Sequence, residues 1–371
     1  MQMQMPLPRM ARNLLAFFDM YYKISNATGT TTRCGIVLAA GEGKRLRPFV
    51  QKLRGDTLPK QYVNFIGRRS MLEHTFHRAH KLVPAERLVT VVSERHLDHV
   101  EVRRQLSRQP PGCVIMQPDN RETAPGLLLL LAHLNKLYPD SSVAVFPSDH
   151  FILEEDLFLG YVELAFRAVE RDPSKLVLLG VEPSDAESEY GYIVPGNDTR
   201  SPAGCGTLEV SRFIEKPQPR IARDLVSNRG LWNTLVMVFK ARTFIREVRR
   251  IAPPLYGSFE RISKAIGTPS ARAVVKEVYQ QLHPVNLSKG LLEVLPLERP
   301  SPLLVLPVRG VQWSDWGSET RILHVLRKTG YMSRLCGDRE KAFAVARQAD
   351  HAGGERFFTA LNNPRLGRSQ L

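Results

Sequence analysis

The sequence predicts an α/β protein with a Rossmann-like, mostly parallel sheet, helices on both faces and an antiparallel addition. Three observations carry that expectation. Short apolar, β-branched runs alternate with helical-period segments from Gly35 to Val181. The first such run ends in a turn built on Gly41 and Gly43. Beyond Tyr190 the strand-like runs are joined by shorter connections.

Taken in order, Gly35–Ala40 reads as a buried strand because Ile36-Val37-Leu38 is continuously apolar. The glycines after it let backbone N–H groups approach a ligand, and Lys44, Arg45, Arg47 and Lys60 crowd charge around them. Backbone donors with clustered cations suit a polyphosphate. Ser70–Leu82 has helical periodicity, with Ser70 and Glu73 spaced as a capping box. Strands are expected at Leu88–Val92, Val114–Met116, Val143–Phe146 and Leu176–Val181, and helices at His96–Leu106, Ala124–Leu137 and Glu155–Glu170. Tyr190–Val194, Thr207–Phe213 and Leu231–Phe239 form the antiparallel part. Residues 241–291 read as mainly helical, Leu303–Val308 as a strand and Thr320–Arg327 as a helix.

Composition narrows the function. Hydrophobic content of 43% and charged content of 24% are ordinary for a globular protein. The net charge of +15 favours anionic partners. Residues 41–110 hold fifteen Lys or Arg against seven Asp or Glu, so over half of the excess lies around the glycine turn. No basic run interleaved with aromatics occurs, so phosphorylated small molecules are expected and nucleic acid is not. Cys34, Cys113, Cys205 and Cys336 have no ligand spacing and read as reduced thiols, which fits a cytoplasmic protein. No stretch reaches the ~18–20 apolar residues needed to cross a bilayer, and Asp19 interrupts the apolar N-terminal run, so neither membrane partner nor signal peptide is expected.

Two carboxylates fall after buried strands. Asp149 in Pro-Ser-Asp-His follows Val143–Phe146, and Asp315 lies in Trp-Ser-Asp-Trp-Gly-Ser after Leu303–Val308. Acids delivered to one carboxyl edge can hold Mg²⁺, whose other ligands are water and phosphate oxygens. Taken singly, each is more often a capping or turn residue. Glu215-Lys216-Pro217 at a strand end could set Lys216 on a phosphate and Glu215 on hydroxyls, or be a surface salt pair. Asn233 could bond a sugar or serve a loop. The glycine turn, Gly-Glu-Gly-Lys-Arg-Leu, matches neither a dinucleotide fingerprint nor a P-loop. His74, His77 and His80 spread around their helix, which argues against zinc.

These motifs in this order resemble the sugar-nucleotide pyrophosphorylases, and within them the mannose-1-phosphate guanylyltransferases. The resemblance covers Gly35 to Leu326 through LAAGEGKRLRPF, LPKQY, QPDNRETAPG, PSDH, GVEP with SEYGYI, RFIEKP, WNT and WSDWGS. It implies a nucleotide-diphospho-sugar transferase fold and a reaction joining a nucleoside triphosphate to a sugar 1-phosphate with release of pyrophosphate. GTP and mannose 1-phosphate are the implied substrates, since Pro-Lys-Gln rather than Pro-Lys-Pro marks the guanylyl branch.

The resemblance also implies roles. Arg45, Lys60, Asp149 and Lys216 would be catalytic. Ala39, Ala40, Gly41, Gly43, Lys44, Gln117, Arg121, Thr123 and Ala124 would bind nucleotide. Gly191, Glu215, Lys216 and Asn233 would bind the sugar phosphate, and Asp149 and Asp315 would hold Mg²⁺. A homodimer is left open. Four departures bear on substrate identity: Ala40 replaces a glycine of the family's Gly-Gly, Glu122 replaces Asn, Thr234-Leu235 replaces Ser-Gly, and Asn286 stands where many relatives have Asp. The rival reading is a non-catalytic nucleotide or sugar-nucleotide sensor. The expected division is an N-terminal extension over 1–32, a nucleotidyltransferase domain over 33–330, and a basic tail over 331–371 with a helix near Arg339–Ala349.

Overall fold

Ile36, Val37 and their neighbours form the buried strand β1 (Arg33–Leu38), paired on both sides with other parallel strands. The structure is a computed structural model and describes residues 31–200 and 205–335. Most of the N-terminal extension, Cys336 and the helix expected near Arg339–Ala349 lie outside the described residues. The chain divides into two compact units, Met1–Gly41 with Leu72–Asp315, and Glu42–Met71 with Trp316–Leu371.

The first unit carries a nine-stranded sheet. Its further strands are β2 (Leu88–Ser93), β3 (Val114–Gln117), β4 (Ser142–Pro147), β6 (Leu176–Val181), β7 (Gly191–Arg200), β8 (Leu208–Glu215), β9 (Leu231–Lys240) and β10 (Leu303–Val308). A separate two-residue ribbon joins β5 (Phe151–Ile152) to β11 (Trp313–Ser314). The sheet order is β3-β2-β1-β4-β9-β6-β10-β8-β7. Only β8 and β9 run against the other strands. The expected antiparallel addition is present, but β9 is inserted between the parallel strands β4 and β6 rather than added at the rim. One edge of β9 is shared, with Trp232 opposite Tyr192 of β7 and Phe239 opposite Val143 of β4.

Helices cover both faces. Cys34, Ile36, Val89, Val91, Val143, Val145, Leu176 and Leu178 belong to one core cluster with α4 (Thr123–Leu137), α7 (Ala241–Ile251), α8 (Pro253–Ala265) and α9 (Ala271–Gln281). The alternate strand residues Val37, Ala144, Val177 and Leu179 are equally buried, and strand alternation points them to the opposite face. There α5 (Glu155–Arg171) packs on β4, β6, β9 and β10. Helix α4 is buried along Ala124–Ala132, which explains a sequence apolar on every side. Each fully buried leucine there stabilises the fold by about 1.5–3 kcal/mol. Three further helices belong to this unit: α2 (Met71–Ala79, whose first residue belongs to the second unit), α3 (Val100–Leu106) and α6 (Pro219–Ser227). The helix expected over His96–Leu106 is broken at His99, whose φ of −81° and ψ of 122° are extended; a 3₁₀ turn at Glu94–Asp98 precedes it.

The second unit is built on α1 (Arg47–Arg54) and α10 (Glu319–Lys328). Pro48 lies in the first turn of α1 and Gly55, at φ 81°, ends it, the proline-first, glycine-last asymmetry of helices. Phe49 stacks on Phe65, which meets Trp316 edge-on at 5.5 Å. Ser318 caps α10, its hydroxyl accepting from the Arg321 amide.

Cys34, Cys113 and Cys205 are free thiols. Burial pushes the Cys34 thiol up to about 11, against weaker opposing effects of Ser141 and Arg87. Among the described residues no helix is long and apolar enough to cross a membrane.

Candidate active site

In the first unit, Ala39, Ala40 and Gly41 continue from the carboxyl end of β1, where the Ala39 amide donates to Val91 O. Gln117 closes β3. It is 1% exposed, and its Oε1 has no partner. The following segment turns through Asn120, whose Oδ1 accepts from the Glu122 amide, into Thr123 and Ala124 at the start of α4. Val285 fixes this turn twice: its amide donates to Arg121 O, and its carbonyl accepts from the Ala124 amide. Arg121 pairs with Asp119 at 3.3 Å, yet its buried Nε is unpartnered. An orphaned amide oxygen and guanidinium N–H are costly when dry. A bound base or ribose would relieve that cost.

Asp149 and Asp315 come from distant parts of the chain but flank the β5–β11 ribbon. Ser314 pairs with Phe151, so the next step of the register sets Asp315 opposite His150. Asp149 Oδ1 lies 3.7 Å from His150 Nε2, and His150 Nδ1 accepts from Trp313 Nε1 at 3.3 Å. That bond assigns the neutral imidazole's proton to Nε2, facing Asp149. Asp315 Oδ1 accepts from the Tyr190 hydroxyl at 3.1 Å.

Gly191, Glu215 and Asn233 converge on three neighbouring strands. Gly191 is opposite Glu215 in the β7–β8 register, and Asn233 is opposite Gly180. A Cβ on Gly191 would stand 2.6 Å from Glu215 Oε2 and 3.5 Å from Asn233 Cβ. Burial raises the Glu215 pKa, opposed by Lys216 and Ser288 and reinforced by Glu293. Lys216 is exposed, and its amide donates to Tyr190 O at 3.2 Å.

In the second unit, Gly43 has φ 59°, and a Cβ there would lie 3.2 Å from Lys60 N. The glycine therefore lets the turn carrying Lys44 and Arg45 lie directly against Lys60. Lys44 pairs with Glu42 at 3.1 Å.

Several contributors escaped sequence reasoning. Tyr190 links the two halves of the first unit's site: its hydroxyl holds Asp315, its carbonyl holds Lys216, and its ring packs on Trp232 at 4.8 Å and Trp313 at 5.2 Å. Its place beside Gly191 in Ser-Glu-Tyr-Gly-Tyr-Ile was the available signal. Glu293 accepts from the Glu215 amide at 2.8 Å, and no local pattern announces that contact. Four of the six non-glycine residues at positive φ among the described residues lie in candidate motifs, and the other two, Cys205 and Arg229, do not. Glu122 (φ 70°), Lys216 (φ 49°), Leu235 (φ 56°) and Trp316 (φ 46°) are left-handed without being glycine. Such conformations persist where the surroundings over-determine them, commonly at functional sites.

The Glu215 shift gives a checkable pH dependence. Below the ordinary carboxylate value of 4.5 both folded and unfolded chains hold the proton. As pH rises, the unfolded chain ionises first, so the folded state loses stability until its own raised pKa is passed. Glu215→Gln removes that term. The stability of the variant minus that of the parent should climb above pH 4.5 and then level off, as read by urea unfolding across pH 4–8. A difference that is flat or falls with pH would show that burial does not dominate.

The sheet, its inserted antiparallel strand and the site at its carboxyl edge define a nucleotide-diphospho-sugar transferase fold. The chain belongs to the nucleotidyl transferase family, whose model matches residues 34–329. It is 29% identical over 306 residues to the xanthan biosynthesis protein XanB of Xanthomonas campestris pv. campestris (strain B100), covering 82% of this chain and 61% of that protein. It is also 29% identical over 307 residues to the mannose-1-phosphate guanylyltransferase of Escherichia coli (strain K12), covering 82% and 62%. The chain thus spans about three fifths of the length of these relatives. Among solved structures, one described as mannose-1-phosphate geranyltransferase from Thermus thermophilus superposes with a TM-score of 0.65 at 25% identity, covering 77% of each chain.

Members of this family generally use a divalent metal. Among the described residues no cluster of three or more His, Cys, Asp or Glu side chains gathers. The donor set on offer is the two part-exposed carboxylates of Asp149 and Asp315. Two carboxylates fit Mg²⁺, which keeps several waters and takes phosphate oxygens from its substrate.

Proposed function

We propose that the chain transfers a guanylyl group from GTP to mannose 1-phosphate, yielding GDP-mannose and pyrophosphate. The observation that carries this reading is the grouping of Asp149 and Asp315 beside the Gly191–Glu215–Asn233 cluster, bridged by Tyr190. The choice of guanine and mannose rests on relatives named as mannose-1-phosphate guanylyltransferases and on Lys60-Gln61 after Pro59.

A sugar 1-phosphate is largely dianionic near neutrality, its second pKa being about 6. The nucleophile therefore needs no strong base. Its phosphate oxygen attacks the α-phosphorus of the triphosphate, and the bond to the β-phosphate oxygen breaks. In this reading Lys216 holds the attacking phosphate, while Glu215 and Asn233 hold sugar hydroxyls. Arg45 and Lys60, with the N–H groups of Gly41 and Gly43, balance the charge that builds on the departing pyrophosphate. Ala39, Ala40, Gln117, Arg121, Thr123 and Ala124 hold base and ribose, and Lys44 adds charge near the phosphates. When bound by Asp149 and Asp315, Mg²⁺ supplies Lewis-acid neutralisation of phosphate oxygens. The gain comes from alignment and charge balance.

The test is pyrophosphate release with Mg²⁺, crossing GTP, ATP, UTP and dTTP against the 1-phosphates of mannose, glucose, galactose and fucose. Release confined to GTP with mannose 1-phosphate is expected. Another productive pair would keep the chemistry and change the substrate. Nucleotide binding with no release from any pair would favour the sensor reading.

A further inference from the structure

Arg78 is a charged side chain where charge is expensive. It sits on α2 and is 4% exposed. The apolar residues Phe146, Ile152 and Phe158 line its surroundings. Burial lowers its pKa, and Glu155 opposes that effect. A lone buried guanidinium would be strongly destabilising, and every donor it carries needs an acceptor. Arg78 Nη1 donates to Glu155 Oε1 at 2.9 Å. Its Nη2 donates to Thr75 Oγ1 at 2.9 Å and to His150 O at 3.3 Å. Thr75, one turn earlier on the same helix face, donates its hydroxyl to Pro147 O at 3.4 Å.

The two acceptors on the loop are informative. Pro147 and His150 bracket Ser148-Asp149, so α2 grips the loop on both sides of the candidate metal ligand. A helix that only needed packing against β4 would be better served by an apolar residue at 78, since replacing buried ion pairs with hydrophobes is often neutral or stabilising. A guanidinium can instead fix a carbonyl and a partner carboxylate at once, in one plane.

We propose that Arg78, with Thr75, is a positioning residue: it holds the Pro147–His150 loop so that Asp149 presents its carboxylate for metal-phosphate binding. This rests on the reading of Asp149 given above. The residue touches neither substrate nor metal, and it acts through the backbone of the loop.

The experiment compares Arg78→Lys and Thr75→Val with the parent and with Asp149→Asn. Lysine keeps the charge beside Glu155 but loses the planar fork that reaches His150 O. Valine keeps the shape of Thr75 and removes its hydroxyl. Two quantities are read: the Mg²⁺ concentration giving half-maximal turnover, and Mn²⁺ binding in the presence of GTP, followed by loss of the free-ion electron paramagnetic resonance signal. Displacing a residue that orients a ligand weakens metal affinity by about 10–100-fold. Arg78→Lys should therefore raise both constants about 10-fold and Thr75→Val by a smaller factor, with the KM for sugar phosphate unchanged. In the Asp149→Asn background neither substitution should weaken Mn²⁺ binding further.

Metal constants equal to the parent's, with only a lower melting temperature, would overturn the inference and leave Arg78 a structural pair for Glu155. So would an equal loss with and without Asp149. If Asp149→Asn alone left turnover and metal dependence at parental values, the Asp149 reading itself would fail. That outcome is separable, because it appears in a variant with Arg78 intact.

Discussion

Replacing Asp149 by Asn is expected to lower turnover about 10³-fold at saturating Mg²⁺, roughly 4 kcal/mol of transition-state stabilisation. The amide matches the carboxylate in size, so the loop that ends β4 need not rearrange. Asp149 is 28% exposed at its side chain and faces His150, a surrounding an amide tolerates. Stability should stay within about 0.5–1 kcal/mol of the parent, the usual range for a substitution that opens no cavity and strands no buried charge. What changes is an anionic oxygen beside the ribbon that also carries Asp315. The measurement is steady-state pyrophosphate release, together with circular dichroism melting of the same preparation. A variant that melts normally and turns over at the parental rate would remove Asp149 from the metal assignment and leave Asp315 to be tested alone.

The parts of the fold that sequence reading recovered are those where burial leaves a periodic trace. β6 and β10 begin and end at the expected residues because apolar runs bounded by Pro, Gly or Ser have little room to shift. The antiparallel direction of β9 was expected, but its place in the sheet was not legible. A strand buried on both faces is apolar throughout, and nothing in Leu-Trp-Asn-Thr-Leu-Val-Met-Val-Phe says that it enters between two parallel neighbours. The β5–β11 ribbon escaped because two residues per strand make no pattern, although it decides where Asp315 lies. Helix α1 escaped for a different reason. It is only 8 residues long, too short for a clear helical period.

The candidate site was legible as a set of residues rather than as an arrangement. Motif order named Gly191, Glu215 and Asn233, but only the β7–β8–β9 register makes them neighbours. The departures gain a physical meaning in the same way. Leu235 holds φ 56° at the position where the resemblance implies glycine, and Asn233 Oδ1 and Thr234 Oγ1 fasten the bend by accepting the amides of Leu235 and Val236. A left-handed conformation costs a non-glycine residue about 1–2 kcal/mol. The chain therefore holds a left-handed bend here with a side chain that packs against the core. Glu122, at φ 70° and ψ −171°, is another departure held at positive φ, beside the segment proposed to bind nucleotide.

Gly191→Ala is expected to raise the KM for the sugar 1-phosphate by about 10–100-fold while leaving the KM for the nucleoside triphosphate unchanged. The backbone of Gly191 is outside the left-handed region, so alanine meets no conformational penalty there. The obstacle is local: the new methyl would stand 2.6 Å from Glu215 Oε2 and 3.2 Å from the Phe213 ring. Glu215 is the more mobile of the two, and its carboxylate turns away at little cost to the fold. Displacing a substrate-positioning group by about 1 Å can cost about 10²-fold in rate. Because the methyl acts by moving Glu215, Gly191→Ala and Glu215→Gln should not add, and the double variant should resemble the worse single one. Gly257→Ala is the control. That glycine lies in α8 with nothing within 4 Å of the added methyl, and alanine favours a helix by up to about 1 kcal/mol. Full activity in Gly257→Ala beside a sugar-phosphate defect in Gly191→Ala would tie Glu215 to the sugar. Equal increases in both KM values, or strict additivity with Glu215→Gln, would place the contact of Gly191 elsewhere than on that carboxylate.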